Sequence, residues 1–210
     1  MESASRDPLP EIDEARATRF ETLALLDGLS QEQVDYRPAP GKWSAGEVID
    51  HLLKADAFYL RELEELLRRA RSGRVPFLFR SVAEIVDIPR PLHYVLPFAE
   101  IPFAVANSFF PGPLRRAVIA ERRLPLRAPD LMAPEAGRSV PELKDDLHDL
   151  IDRLDAMEQD GSDLYRLRYY NPVVGFTNLP SAIKFLANHE KRHQRQLRDL
   201  LSARGFPQAA

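Results

Sequence analysis

Apolar residues recur at three- and four-residue spacing in four separate stretches of this chain. Each stretch is bracketed by the chemistry that starts and stops a helix. In the first, about 11–26, Ile12, Ala15, Phe20, Leu23 and Leu26 make the stripe and Gly28 closes it. A short capping box from Ser30 to Gln33 opens a single turn, and Tyr36-Arg37-Pro38-Ala39-Pro40-Gly41 must then be a loop. The second and longest stretch, about 45–71, starts at another capping box, with Ser44 at the N-cap and Glu47 three residues on. Its stripe is Val48, Leu52, Ala55, Tyr59, Leu63, Leu66 and Leu67, and Ser72-Gly73 ends it. A third box, Ser139 with Glu142, opens a helix over about 140–158, with Pro141 in the first turn where it is tolerated. The fourth helix, about 179–203, is capped by Thr177 or Asn178 and carries Ile183, Leu186, Leu197, Leu200 and Leu201.

Between the second and third helices the pattern breaks. Residues 74–138 hold ten of the eighteen prolines, so no helix there can be long. No strand is convincing anywhere, and the tyrosines of Tyr169-Tyr170-Asn171 read as packing residues. The expected fold is all-α, a four-helix bundle in one domain over 1–210, with a proline-rich insertion at about 74–138. The length of that insertion leaves a plain up-down-up-down topology open.

Composition narrows the class. The chain has 210 residues, 44% of them hydrophobic, enough for a sizeable core. Its net charge of −3 gives no reason to expect nucleic acid. The insertion carries nine arginines against six acids, hence +3, and the remainder −6. Cysteine is absent, which excludes disulfides, thiolate ligands and a cysteine nucleophile. There is no secretory pattern at the start and no long apolar run, so the expectation is a cytoplasmic protein.

The chemistry lies in Asn188-His189-Glu190-Lys191-Arg192-His193, which places two histidines four apart on one face of the fourth helix. Two imidazoles so spaced can share a metal ion, and Glu190 completes the string H-E-x-x-H. The protease readings of that string fail. No glutamate follows Glu190 to act as third ligand, and the continuation Gln194-Arg195-Gln196 is not H-x-x-G-x-x-H. The third ligand must come from upstream, and His51, on the apolar stripe of the second helix, is the strongest candidate. Three histidines from two facing helices make an open site for a divalent ion, zinc or nickel first and iron next. Glu190, beside a ligand, and Glu47, one turn before His51, are the candidates to orient a ligand or accept a proton.

Plainer readings stand beside these. His189 and His193 could be two surface histidines, and a lone His51 reads more readily as a satisfied core residue. His148 has a solvated flank of aspartates, and His93 sits in the insertion. Trp43 reads as a packing plug before the N-cap. The insertion could shape a pocket, form a dimer contact or, least of all, touch a membrane.

The motifs Pro40-Gly41-Lys42-Trp43-Ser44…Glu47…His51-Leu52, Arg127-Ala128-Pro129…Pro134, Asn171-Pro172-Val173-Val174-Gly175 and Asn188-His189-Glu190-Lys191-Arg192-His193-Gln194 occur together and in order. In this the chain resembles the DinB/YfiT-like metalloenzyme superfamily, more closely its DinB_2-type branch, over about 13–202. The resemblance implies a four-helix bundle, a homodimer, and a metal triad that maps to His51, His189 and His193. It also implies a thiol-dependent transferase using a low-molecular-weight thiol such as bacillithiol, mycothiol or glutathione on a small electrophile. A metal-dependent hydrolase and a non-catalytic binding module with a structural metal are the alternatives.

Overall fold

Serine caps start three helices where the sequence places them. In the computed structural model, which describes residues 9–81, 132–171 and 174–208, α1 spans Pro10–Leu26, α2 Gln31–Asp35 and α3 Ala45–Arg71. Helix α4 spans Val140–Glu158 and α5 Leu179–Leu201. Ser30, Ser44 and Ser139 each accept from the backbone N–H three residues on, and the Gln33, Glu47 and Glu142 side chains answer the caps' own N–H groups. Two orphan donors per helix start are satisfied in this way. Asn178 caps α5, accepting from the Ser181 N–H at 3.0 Å.

Among the described residues, the four long helices close into a ring. Helix α1 packs beside α4 and α5, and α3 also packs beside α4 and α5. Helices α1 and α3 therefore face one another across the bundle. The core between them includes Ile12, Leu26, Ile49, Leu52, Leu63, Leu143, Leu147, Ile183 and Leu197, each essentially inaccessible. Each such side chain is worth about 1.5–3 kcal/mol relative to leaving it in water. The short α2 packs on α3: the Gly46 backbone comes so close to Val34 that an added Cβ would stand 3.0 Å from its side chain.

Two expectations need correction. The chain is not free of strands: β1 (Phe77–Phe79), β2 (Arg168–Asn171) and β3 (Gly175–Asn178) form one small sheet in that order. Strand β1 pairs parallel to β2, with Leu78 opposite Tyr169, and β2 pairs antiparallel to β3, with Asn171 opposite Gly175. Strands of three and four residues are too short to show a period-two pattern in sequence. Their pairing joins the start of the insertion to a hairpin about ninety residues later. The Tyr169 hydroxyl donates to Glu62 of α3, which ties the sheet to the bundle, and Tyr170 stacks on Phe79 at 4.6 Å. The second correction is Phe20, which is 51% exposed. The inward series of α1 runs Ile12, Ala15, Arg19, Leu23 and Leu26, and it carries an arginine where the sequence pattern suggested Phe20.

Among the described residues no helix is long and apolar enough to cross a membrane. His93 lies outside the described residues, as do residues 82–131 of the 74–138 insertion to which the pocket, dimer and membrane readings belong.

Candidate metal centre

His51 lies in the second turn of α3, and His189 and His193 lie on successive turns of α5, the helix packed beside it. Each offers one ring nitrogen, and the three nitrogens lie within 4.8 Å of one another. The His51 ring stands 5.5 Å from that of His189 and 5.0 Å from that of His193, edge to face in both cases. His51 and His193 are buried and His189 partly so.

Hydrogen bonds orient two of the three rings. The Nδ1 of His51 is 2.8 Å from the carbonyl oxygen of Met132, which can only accept, so Nδ1 carries the proton and Nε2 keeps its lone pair. The Nδ1 of His193 lies 3.0 Å from the Gln196 side-chain amide, which can meet either tautomer, so this contact orients the ring without choosing its protonated nitrogen. The Nε2 of His193 faces the Nε2 of His189 at 3.1 Å. Two lone pairs at that distance repel unless a proton or a cation lies between them. Burial holds the pKa of His51 below its ordinary value, and burial together with the neighbouring His193 holds that of His189 well below. These two imidazoles are neutral near pH 7, the form that ligates metal. A buried, neutral, convergent set of three imidazoles suits a divalent transition-metal ion.

The surroundings orient the ligands. Trp43, expected as a plug, packs on the core and places its ring 5.1 Å from that of His51. Phe185 lies parallel to the His189 ring at 6.4 Å. The segment that delivers the Met132 carbonyl is pinned to α3. Asp50, one residue before His51, accepts from the Glu135 N–H at 2.7 Å and pairs with Arg138 at 3.1 Å. Lys54 donates to the Ala133 carbonyl at 3.0 Å. The sequence offers no signal for Met132, because it reaches His51 from 81 residues away.

The two carboxylates singled out in the sequence are engaged elsewhere. Glu190 follows His189 by one residue, about 100° further round the helix, and faces α1. Its Oε1 accepts from the Thr22 hydroxyl at 2.5 Å, and its Oε2 lies 3.1 Å from Arg19 Nη2. The same Arg19 nitrogen donates to Asp56 of α3. Burial pushes the Glu190 carboxyl up to about 7, against the pull of the Arg19 charge. Glu47 accepts from the Ser44 N–H at 2.8 Å and from Arg37 at 2.7 Å. Both carboxylates thus spend their oxygens on partners other than the imidazoles. His148 is exposed on α4 and takes no part in the cluster.

Two clefts of about 480 and 370 Å³ run along α3, the first lined in part by Arg61, Glu62 and Arg80 and the second by Lys54 and Arg138. Neither is lined by a histidine of the cluster. The donor chemistry, rather than cavity size, marks the site.

The model of one protein family, described as the DinB superfamily, matches residues 14–197. Uncharacterized protein YuaE of Bacillus subtilis (strain 168) is 24% identical over 184 residues, which cover 87% of this chain and 91% of that protein. No solved structure matches the chain significantly.

Proposed function

Because the chain belongs to the DinB superfamily and gathers His51, His189 and His193 at one point, we propose that it is a metal-dependent enzyme transferring a thiol to a small electrophile. The observation that carries the metal is the three ring nitrogens within 4.8 Å of one another. Thiol transfer, rather than attack by water, rests on the resemblance to thiol-dependent relatives. A divalent ion held there supplies Lewis acidity that lowers the pKa of a thiol or water and makes it nucleophilic near neutral pH.

The chain's own residues prepare the site. Met132 holds the His51 ring with Nε2 unprotonated and Gln196 orients the His193 ring, so little reorganisation would be needed when an ion enters. Trp43 and Phe185 flank the imidazoles with aromatic surface, which limits water and strengthens electrostatic interactions inside. Three protein ligands leave coordination positions for a reactant, the arrangement of a catalytic rather than a structural site.

A panel of bacillithiol, mycothiol and glutathione with a generic haloarene electrophile tests the reading. Metal-dependent consumption of one thiol is expected, abolished in His189→Ala. Metal-loaded protein inert toward all three would contradict thiol transfer while leaving the metal site intact.

A further inference from the structure

The residue after each α5 ligand, about 100° further round the helix, is anchored toward α1. Glu190 follows His189, and Gln194 follows His193. Both are buried, and both are held by α1, which carries no ligand. Gln194 donates through Nε2 to the Thr18 carbonyl at 2.7 Å and to the Thr22 hydroxyl at 3.0 Å, and Thr22 donates to Glu190. With two successive turns pinned in this way, α5 cannot rotate about its axis. The direction in which His189 and His193 point is thereby set.

Helix α3, which carries His51, is tied to the same frame by one side chain. Arg19 of α1 is 4% exposed. It reaches across the bundle to Asp56, five residues after His51, and with the same Nη2 approaches Glu190 of α5 at 3.1 Å. One guanidinium therefore joins the helix bearing one ligand to the helix bearing the other two. A buried ion pair is a poor way to gain stability, since apolar groups of similar volume often do as well. It is a good way to fix one register out of several. Nη2 alone makes both contacts, while Nε and Nη1 find no partner among the described residues, so the guanidinium is placed here for the joint it makes between two helices and not to satisfy its own donors.

From this geometry, and resting on the metal-site reading above, we infer that Arg19 is a positioning residue of the metal centre. It sets the spacing and rotation of α3 against α5 through Asp56 and Glu190. The glutamate of the H-E-x-x-H string is on this account part of a helix clamp.

Cobalt(II) is a suitable probe, because its visible absorption reports ligand number and geometry. Wild type, Arg19→Met, Arg19→Lys and Leu147→Ala are compared by cobalt titration and by melting. Leu147 is fully buried on α4, which bears no ligand, so Leu147→Ala weakens the core without touching the clamp. Arg19→Met is expected to weaken cobalt binding about 10- to 100-fold, the usual effect of losing a group that orients ligands, and to alter the visible spectrum. Arg19→Lys should recover part of both. Leu147→Ala should melt earlier yet bind cobalt with wild-type affinity and spectrum. Wild-type binding by Arg19→Met, or equal losses in Leu147→Ala, would overturn the inference while the metal site stands. Should Arg19→Met fail to fold, Asp56→Asn, which removes the charge that Arg19 meets on α3, is read by the same criteria. A wild-type protein that takes up no cobalt would instead defeat the metal-site reading, before any variant is compared.

Discussion

The Nε2 atoms of His189 and His193 face each other at 3.1 Å, with His51 closing the third side. Nothing in a helix requires that approach. Histidines four apart in sequence can turn their rings to solvent, and here both turn to one point beside a third imidazole from the neighbouring helix. The electrostatic cost of such convergence is low only while the rings are neutral or share a cation.

The pH dependence of the metal-free protein follows. His51 and His189 have folded pKa values held below the ordinary 6.5, chiefly by burial. As pH falls through about 6.5 the unfolded chain takes up protons there and the folded chain does not, so stability is lost on acidification. Glu190 acts in the opposite sense, because its raised pKa means that the folded chain gains a proton first as pH falls toward 7. The His189→Gln variant isolates the histidine contribution. Between pH 7.5 and 5.5 its melting temperature should fall less steeply than that of metal-free wild type, and parallel slopes would show that His189 is not held neutral.

Asp50 touches no imidazole ring, yet it holds the segment that presents the Met132 carbonyl to His51. Asp50→Ala frees that segment and, with it, the orientation of the His51 ring. Metal affinity measured by competition with a chromogenic chelator should drop about 10- to 100-fold. An unchanged affinity would mean that α3 alone positions His51.

The capping box of α3 separates stability from function. Ser44→Ala removes the acceptor for the Glu47 N–H and should cost about 1 kcal/mol. For a chain of this size that is a drop of roughly 2–4 °C in melting temperature, with metal binding unchanged. Loss of the metal in this variant would indicate that Glu47 or the helix start contributes to the site.

Glu190→Gln distinguishes a clamp from a general base. The amide keeps a group that can accept from Thr22 while removing the carboxyl's ability to take up a proton. Turnover per bound metal should fall by less than about tenfold, whereas loss of a general base typically removes 10²–10⁴-fold.

Much of this was legible in the sequence. Three serine capping boxes fixed the starts of α2, α3 and α4, and glycines and prolines fixed most of the ends. The three-histidine cluster could be proposed because two of its members share one helix face and the third sits on the apolar stripe of the second helix. What stayed hidden depends on contacts between distant segments. Arg19 reads as an ordinary charged residue beside Phe20 until the bundle turns it inward toward Asp56 and Glu190. The sheet was hidden because its strands are three and four residues long and pair across the insertion. Glu190 sits in a familiar motif whose letters do not say which way it points, and one residue of helix turns it toward Thr22 and Arg19.

The most direct test is the metal content of untagged protein grown in metal-replete medium, measured by mass spectrometry beside His51→Ala and His189→Ala. The predicted result is roughly one divalent ion per wild-type chain and less than about a tenth of that in either variant, with folding retained. Wild-type protein without a near-stoichiometric ion, or variants that keep it, would contradict a centre built on His51, His189 and His193.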